Sequence, residues 1–268
     1  MSAIKTIRSQ IGDEEIKVAI VLGSGLSSIA DQLTEKTVFP YSQLEGFPGH
    51  GNGGAGVSGH GSDLLIGKMG GKSVAILTGR EHYYERGNAA AMRPALETLK
   101  ALGATSILLT NAAGSLDGNV RPGDLMVVRD HINYAGINPL IGEVSDKRFL
   151  NLVDAYDPRL RALSAALASK LGFVLNEGVY MWYSGPSFET VAEIQMAIGL
   201  GASSVGMSTV PEVIIARMLG FNVWACSGIT NMGAGMANEE ISHTQTKNVA
   251  LICAQKFTKI IPSLVKAI

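Results

Sequence analysis

Apolar runs too short for helices alternate along this chain with longer stretches of helical period. Val18-Ala-Ile-Val-Leu22 is continuously apolar, the pattern of a strand covered on both faces, and Ser106-Ile-Leu-Leu-Thr110 repeats it. Asp63-Leu-Leu-Ile-Gly-Lys-Met69 and Lys72-Ser-Val-Ala-Ile-Leu77, joined by Gly70-Gly71, read as a β-hairpin. Further strands are predicted over residues 124–130, 178–183 and 222–229, with a short one ending at Val205-Gly206. Helical spacing predicts helices over residues 4–10, 26–33, 89–102, 158–171, 190–200 and 243–266, and another starting at Thr209. Residues 39–60 are turn-rich, the glycine run at 49–56 reads as a loop, and residues 134–157 lack a period and read as a lid or an interface loop. Strand and helix alternate without a linker, a low-complexity tract or an internal repeat. One α/β domain over residues 1–268 is expected, a mixed β-sheet flanked by helices.

Polar residues gather where strands end. Gly23-Ser24-Gly25 follows the first apolar run, at a turn where backbone can approach a phosphate, but Ser28 stands where the dinucleotide fingerprint has its third glycine. A Rossmann cofactor site is therefore disfavoured. Residues 79–87 bring Arg80, His82, Tyr84 and Arg86 to the end of the hairpin, either as a solvated charged loop or as a phosphate clamp in which Arg forks onto the anion. Thr209-Val-Pro-Glu212 has capping-box spacing with Pro211 in the first turn and Glu212 placed for the helix dipole. Ser208 just before it is then either a structural cap or an anion ligand at a helix start. Thr190-Val-Ala-Glu193 also has capping-box spacing, which accounts for Glu193. Glu189 has no such structural task, and beside Phe188 it suits a flat heterocycle that carries N–H donors. His131 and Asn133 read either as functional or as loop-stabilising side chains, and His243, a lone histidine at a helix start, either reaches a ligand or has no functional part.

Composition narrows the partners. At 268 residues, 46% hydrophobic and 17% charged, the chain is long enough for a large core. A formal net charge of −1 provides no field for nucleic acid or an acidic membrane, so neither is expected as a partner, and any anion must meet a local site. Cys226 and Cys253 fall in apolar patterns and read as buried reduced thiols of a cytoplasmic protein. The first residues lack the apolar core of a signal peptide or membrane span. No Gly-x-Ser-x-Gly elbow and no Cys or His spacing for a metal is present.

Taken together, Val21-Leu-Gly-Ser-Gly-Leu26, Gly79-Arg-x-His-x-Tyr-Glu85, Thr110-Asn-Ala-Ala-Gly114, Arg129-Asp-His-Ile-Asn133, Gly185-Pro-Ser-Phe-Glu-Thr190, Gly206-Met-Ser-Thr-Val-Pro-Glu-Val213 and Ile229-Thr-Asn231 closely resemble the trimeric purine nucleoside phosphorylases. The motifs run in family order from about Val18 to the last helix. The resemblance implies a nucleoside phosphorylase-like fold and a homotrimer. It implies phosphate held by Ser24, His60, Arg80, His82, the backbone N–H of Ala112, and Ser208. It places ribose against Tyr84, Met207 and His243, and the purine against Phe188, Glu189, Val205 and Asn231. Asn231, Glu189 and His82 carry the catalytic roles.

The implied reaction is reversible phosphorolysis of purine (deoxy)ribonucleosides, inosine and guanosine above adenosine, to free base and the sugar 1-phosphate, in purine salvage. Inorganic phosphate is the co-substrate, and no metal or redox cofactor is expected. Two departures from the family stand out. Residues 48–60 are longer and richer in glycine, so His50 competes with His60, and Met232 stands where mammalian members carry lysine. The rival readings are a nucleoside hydrolase, a non-catalytic nucleoside or phosphate sensor and, within the same fold, an enzyme for 6-aminopurine thionucleosides, which usually carries Asp at the Asn231 position.

Overall fold

The computed structural model describes residues 2–49, 61–237 and 243–268. Its strands are β1 (Val18–Val21), β2 (Thr34–Pro40), β3 (Asp63–Met69), β4 (Lys72–Leu77), β5 (Ser106–Ser115), β6 (Leu125–Asn133), β7 (Asn176–Trp182), β8 (Ser204–Gly206) and β9 (Asn222–Met232). They join one mixed sheet in the order β2-β3-β4-β1-β5-β8-β7-β6-β9, and β5 pairs with β9 as well. That last pairing closes β5, β8, β7, β6 and β9 into a ring, which leaves β9 without a free edge. The helices are α1 (Ala3–Ile11), α2 (Tyr83–Arg86), α3 (Arg93–Ala101), α4 (Pro158–Lys170), α5 (Val191–Gly199), α6 (Val210–Met218) and α7 (His243–Ala267).

The central strands are apolar throughout because both of their faces are covered. Ala19 and Val21 of β1 pack into one core with Ile7 of α1, Leu96 and Leu99 of α3 and Val213 of α6. Val18 and Ile20 face the other core, with Trp224 of β9 and Phe257 and Ile261 of α7. Each Val, Leu, Ile or Phe among them contributes about 1.5–3 kcal/mol by leaving water. Cys226 and Cys253 are buried in this second core and are not joined in a disulfide.

The helix starts divide. Thr190 caps α5 as its spacing predicts: its Oγ1 accepts from the Glu193 N–H at 3.2 Å, and its own N–H donates to Glu193 Oε2 at 2.7 Å. The matching pattern at Thr209 forms no capping box. Thr209 takes φ 71° and ψ −47°, and its side chain makes no capping bond to the helix. Sequence spacing cannot separate these two, because the same four-residue signature serves both. At Thr209 the side chain is drawn away by partners distant in sequence, described below.

Four further differences stand out. Residues 27–32 wind as a 3₁₀ turn, not an α-helix. Strand β2 carries no sequence signal because it is a largely exposed edge strand, with a register shift between Thr34 and Thr37 where Glu35 adopts φ 51°. Helix α3 starts at Arg93, after turns over 89–92. Strand β5 continues five residues past the predicted Thr110, through Asn111-Ala-Ala-Gly-Ser115, because pairing with β9 overrides the weak strand preference of small residues.

The extension of β5 sets the position of the site. Strand β1 accompanies β5 only as far as Val21 opposite Leu109, and β8 joins only from Val205 opposite Gly114. Between them, residues 110–113 have no strand partner on that edge. Diverging neighbours leave a crevice at the carboxyl end of a parallel strand, the usual ligand position in open α/β sheets.

Candidate active site

A cavity of about 330 Å³ opens at this unpaired edge. Its lining includes Ser24, Arg80, His82, Tyr84, Ala112, Phe188, Glu189, Val205, Met207, Ser208 and Asn231, so residues spread over more than two hundred positions meet in one place. These are all of the residues assigned above by the family resemblance except His60 and His243, and Arg86 of the charged cluster is also absent, its guanidinium pairing with Glu81. His50 and His60 lie outside the described residues, and of His243 only the backbone position is described, at the first residue of α7. The competition between His50 and His60 therefore falls outside the described residues as well. His131 and Asn133 do not line the cavity. Asn133 ties its own loop, donating to the Ile137 carbonyl at 2.9 Å and accepting from the Gly136 N–H at 3.1 Å, and His131 Nδ1 lies 3.0 Å from the Tyr156 hydroxyl.

At one end of the cavity the backbone is crowded. A Cβ on Gly23 would lie 2.9 Å from the Cα of Asn111, so this glycine lets β1 and β5 cross closely, a different task from admitting a ligand. Its N–H donates to Thr110 Oγ1 at 3.0 Å. Arg80 is 4% exposed. Its Nη1 donates to Glu212 Oε1 at 2.8 Å and to Thr209 Oγ1 at 3.3 Å, while Nη2 donates to the carbonyl oxygens of Thr110 and Val21. The expected fork onto phosphate is thus already engaged by protein. Only Nε–H is left, and it meets no acceptor among the described residues.

Thr209 Oγ1 also accepts from Asn111 Nδ2 at 2.9 Å and lies 3.1 Å from Ser208 Oγ. The Val210 N–H closes back on the Ser208 carbonyl at 2.8 Å, so Thr209 is the centre of a γ-turn with positive φ. A β-branched residue in that conformation is strained, by about 1–3 kcal/mol, and persists only where surrounding bonds over-determine it. Glu212, expected to serve the helix dipole, serves Arg80 instead.

His82 and Tyr84 stack at 4.8 Å between ring centroids, with planes 13° apart. Burial works to raise the Glu85 carboxyl, but bonds from the His82 ring, at 3.1 Å, and the His82 N–H, at 2.7 Å, bring it below its ordinary value. The Tyr84 hydroxyl is pushed up to about 12 by burial, so it stays protonated. Gly185, at φ 71°, brings its loop against both Tyr84 and Met207; a Cβ there would lie 2.7 Å from Met207 Sδ and 2.9 Å from a Tyr84 ring carbon.

The opposite end is built from side chains with capacity to spare. Glu189 Oε1 is buried with no hydrogen-bond partner among the described residues, and burial raises its carboxyl above its ordinary value. Phe188, beside it, is 44% exposed at the mouth. Asn231 is fixed from both sides: its Oδ1 accepts from the Thr230 hydroxyl at 2.9 Å, and its Nδ2 donates to the Met232 carbonyl at 2.9 Å. One Nδ2 hydrogen is left for a ligand. Met232 enters through that carbonyl and does not line the cavity.

Sequence reasoning missed Thr230, Thr246 and Ala250, all of which line the cavity. The last two were findable, since His243, Thr246 and Ala250 fall at i, i+3 and i+7 on one face of α7. Among the described residues no group of three His, Cys, Asp or Glu is placed to hold a metal ion, and no helix is long and apolar enough to cross a membrane.

Known proteins share both the sequence and this architecture. The model of the phosphorylase superfamily matches residues 17–266. Purine nucleoside phosphorylase 1 of Geobacillus stearothermophilus is 38% identical over 253 residues, which are 93% of this chain and 90% of that protein. Purine nucleoside phosphorylase of Bos taurus is 36% identical over 270 residues, 96% of this chain and 90% of the relative. Among solved structures, isoform 2 of purine nucleoside phosphorylase from Schistosoma mansoni, in complex with cytosine and ribose-1-phosphate, superposes with a TM-score of 0.90 at 32% identity, covering 98% of this chain and 94% of the other.

Proposed function

We propose that this chain, which belongs to the purine nucleoside phosphorylase family, cleaves purine (deoxy)ribonucleosides with inorganic phosphate, giving the free base and the sugar 1-phosphate, as in purine salvage. The observation that carries the reading is one cavity with an anion-type end and a heterocycle-type end, spaced by ribose-type contacts. Phosphate lies against Ser24, Arg80, His82, Ala112 and Ser208, at the start of α6, where the helix dipole favours an anion. His60 joins this set on family resemblance. Ribose packs on Tyr84 and Met207, with His243 assigned by family resemblance, and the base lies between Phe188, Val205, Glu189 and Asn231. The ribose-1-phosphate bound to the Schistosoma relative supports the reaction class.

Cleavage of the glycosidic bond builds positive charge on the ribose and negative charge on the purine. Phosphate dianion stabilises the first and attacks the anomeric carbon from the opposite face, with inversion. The remaining Asn231 N–H stabilises the second at N7. Glu189 accepts from N1–H and holds the ring for that contact. A 6-oxopurine carries the N1 proton, whereas adenine presents a lone pair to the orphan oxygen of Glu189. Inosine and guanosine are therefore the preferred substrates. No step requires a metal or a redox cofactor.

The homotrimer belongs to the same proposal. The segment without periodicity carries Ile141, Val144 and Phe149, all strongly exposed around an open groove, and an exposed Val153, and such apolar exposure suits an interface between copies. A monomer mass by light scattering at micromolar concentration would remove this part. The reaction is tested by product assays on inosine, guanosine and adenosine, each with and without phosphate. Base release at full rate without phosphate establishes a hydrolase in its place, and no release under either condition favours a sensor.

A further inference from the structure

Glu212 is 3% exposed and is not among the residues that line the cavity. It is the third residue of α6, where a carboxylate ordinarily turns back to cap its own helix. Here it reaches across the fold to Arg80, 132 positions earlier in sequence, and the two side chains are 4% and 1% exposed. A buried ion pair is weak evidence for stability, since desolvation of both charges offsets most of the attraction. What this one fixes is orientation. Nη1 is taken by Glu212 and Thr209, Nη2 by two carbonyls, and the guanidinium is planar, so the direction of the fifth N–H follows from the other four. Nε is the nitrogen left unpartnered among the described residues, on a residue that lines the cavity.

We propose that Glu212 is a positioning residue for phosphate: it clamps the far side of Arg80 so that the guanidinium meets the anion through a single Nε–H, not a fork. The same clamp holds Thr209 in its γ-turn, because Arg80 Nη1 bridges Thr209 Oγ1 and Glu212 Oε1. Glu212 also offsets the charge of Arg80, so the anion is held chiefly by directed N–H and O–H groups. This inference rests on the phosphorolysis reading, and it is separable from it because phosphate binding can be measured without nucleoside.

The test compares Glu212→Gln with Glu212→Asp in the full-length protein, titrating inorganic phosphate by calorimetry and then measuring KM for phosphate and for inosine. Gln keeps the length and the acceptor and loses the charge. Asp keeps the charge and loses the reach. If Glu212 positions, the Gln variant binds phosphate at least as tightly as the parent, while the Asp variant loses about tenfold, the scale of one charge-assisted hydrogen bond misdirected. In both variants the KM for inosine stays within about twofold of the parent, because the purine end is untouched. An Asp variant that binds phosphate as the parent does, or a Gln variant that loses as much as Asp, overturns the proposal. Equal losses accompanied by equal falls in Tm assign Glu212 to folding alone and overturn it too. Should the parent bind phosphate but release no base, the phosphorolysis reading fails while the order among variants still decides the role of Glu212.

Discussion

The two ends of the cavity are built on opposite plans. At the phosphate end nearly every donor already has a protein acceptor: Arg80 on Glu212, Thr209 and two carbonyls, Asn111 on Thr209, Gly23 on Thr110. At the purine end a buried carboxylate oxygen of Glu189 has none among the described residues. A saturated network is rigid and intolerant, since removing one partner strands the others. An open acceptor costs stability until a ligand with an N–H arrives, and so it discriminates among ligands. Changes at the first end should therefore lower stability as well as activity, and changes at the second should alter catalysis and specificity without loss of stability.

The largest effect expected is at Arg80. Arg80→Ala leaves the Glu212 carboxylate buried and unpaired and releases Thr209, a loss of about 3–5 kcal/mol. Thermal unfolding and phosphate titration should both register it. A variant with unchanged Tm and intact phosphate affinity would break the contrast at its stronger end.

Glu189→Ala should behave in the opposite manner. Losing the N1–H acceptor costs about 1–3 kcal/mol in kcat/KM for inosine, tenfold to hundredfold, with phosphate affinity unchanged. Its Tm should hold or rise, because the carboxylate removed is desolvated and has one unpartnered oxygen. A fall in Tm as large as that of Arg80→Ala would mean that the purine end is structural as well.

Asn231→Asp sharpens the specificity side. A carboxylate accepts from the adenine amino group, which the amide donor does not, so the ratio of kcat/KM for inosine over adenosine should fall about tenfold. A parent ratio near one, or a ratio unmoved by the substitution, removes Asn231 as a reader of the base.

The smallest effect is one of pH. The folded-state pKa of Glu189 is raised by burial, so the folded protein binds more protons than the unfolded chain between the ordinary and the raised value. Stability of the free protein should then decline slightly as pH rises through that window. Turnover of inosine should rise over the same window, as the carboxylate able to accept N1–H forms. Glu189→Gln abolishes the stability component, and a pH profile of Tm that the substitution leaves unchanged would exclude Glu189 as its source.

How much of this could be read without coordinates differs by type of feature. Strands β1, β3, β4 and α5 with its cap follow directly from apolar runs and local spacing, because their cause is local: burial on both faces, a two-glycine turn, a threonine three residues before a glutamate. Strand β2 was illegible because an exposed edge strand has no period. The candidate residues of the site were legible as motifs at strand ends, and all but His60 and His243 are seen to line one cavity.

Sequence by itself determined the α/β alternation, the double-sided burial of the central strands and the identity of the polar groups available to a ligand. Tertiary structure alone decided how those groups are spent. Glu212 caps nothing, since a partner 132 positions away outcompetes its own helix terminus. Thr209 sits at φ 71° because Arg80 and Asn111 hold its hydroxyl, which no four-residue pattern encodes. The cavity exists because β1 stops opposite Leu109 and β8 starts opposite Gly114. A strand's own residues specify its faces, but where its neighbours part depends on the lengths of other strands, and that is settled only when the sheet assembles.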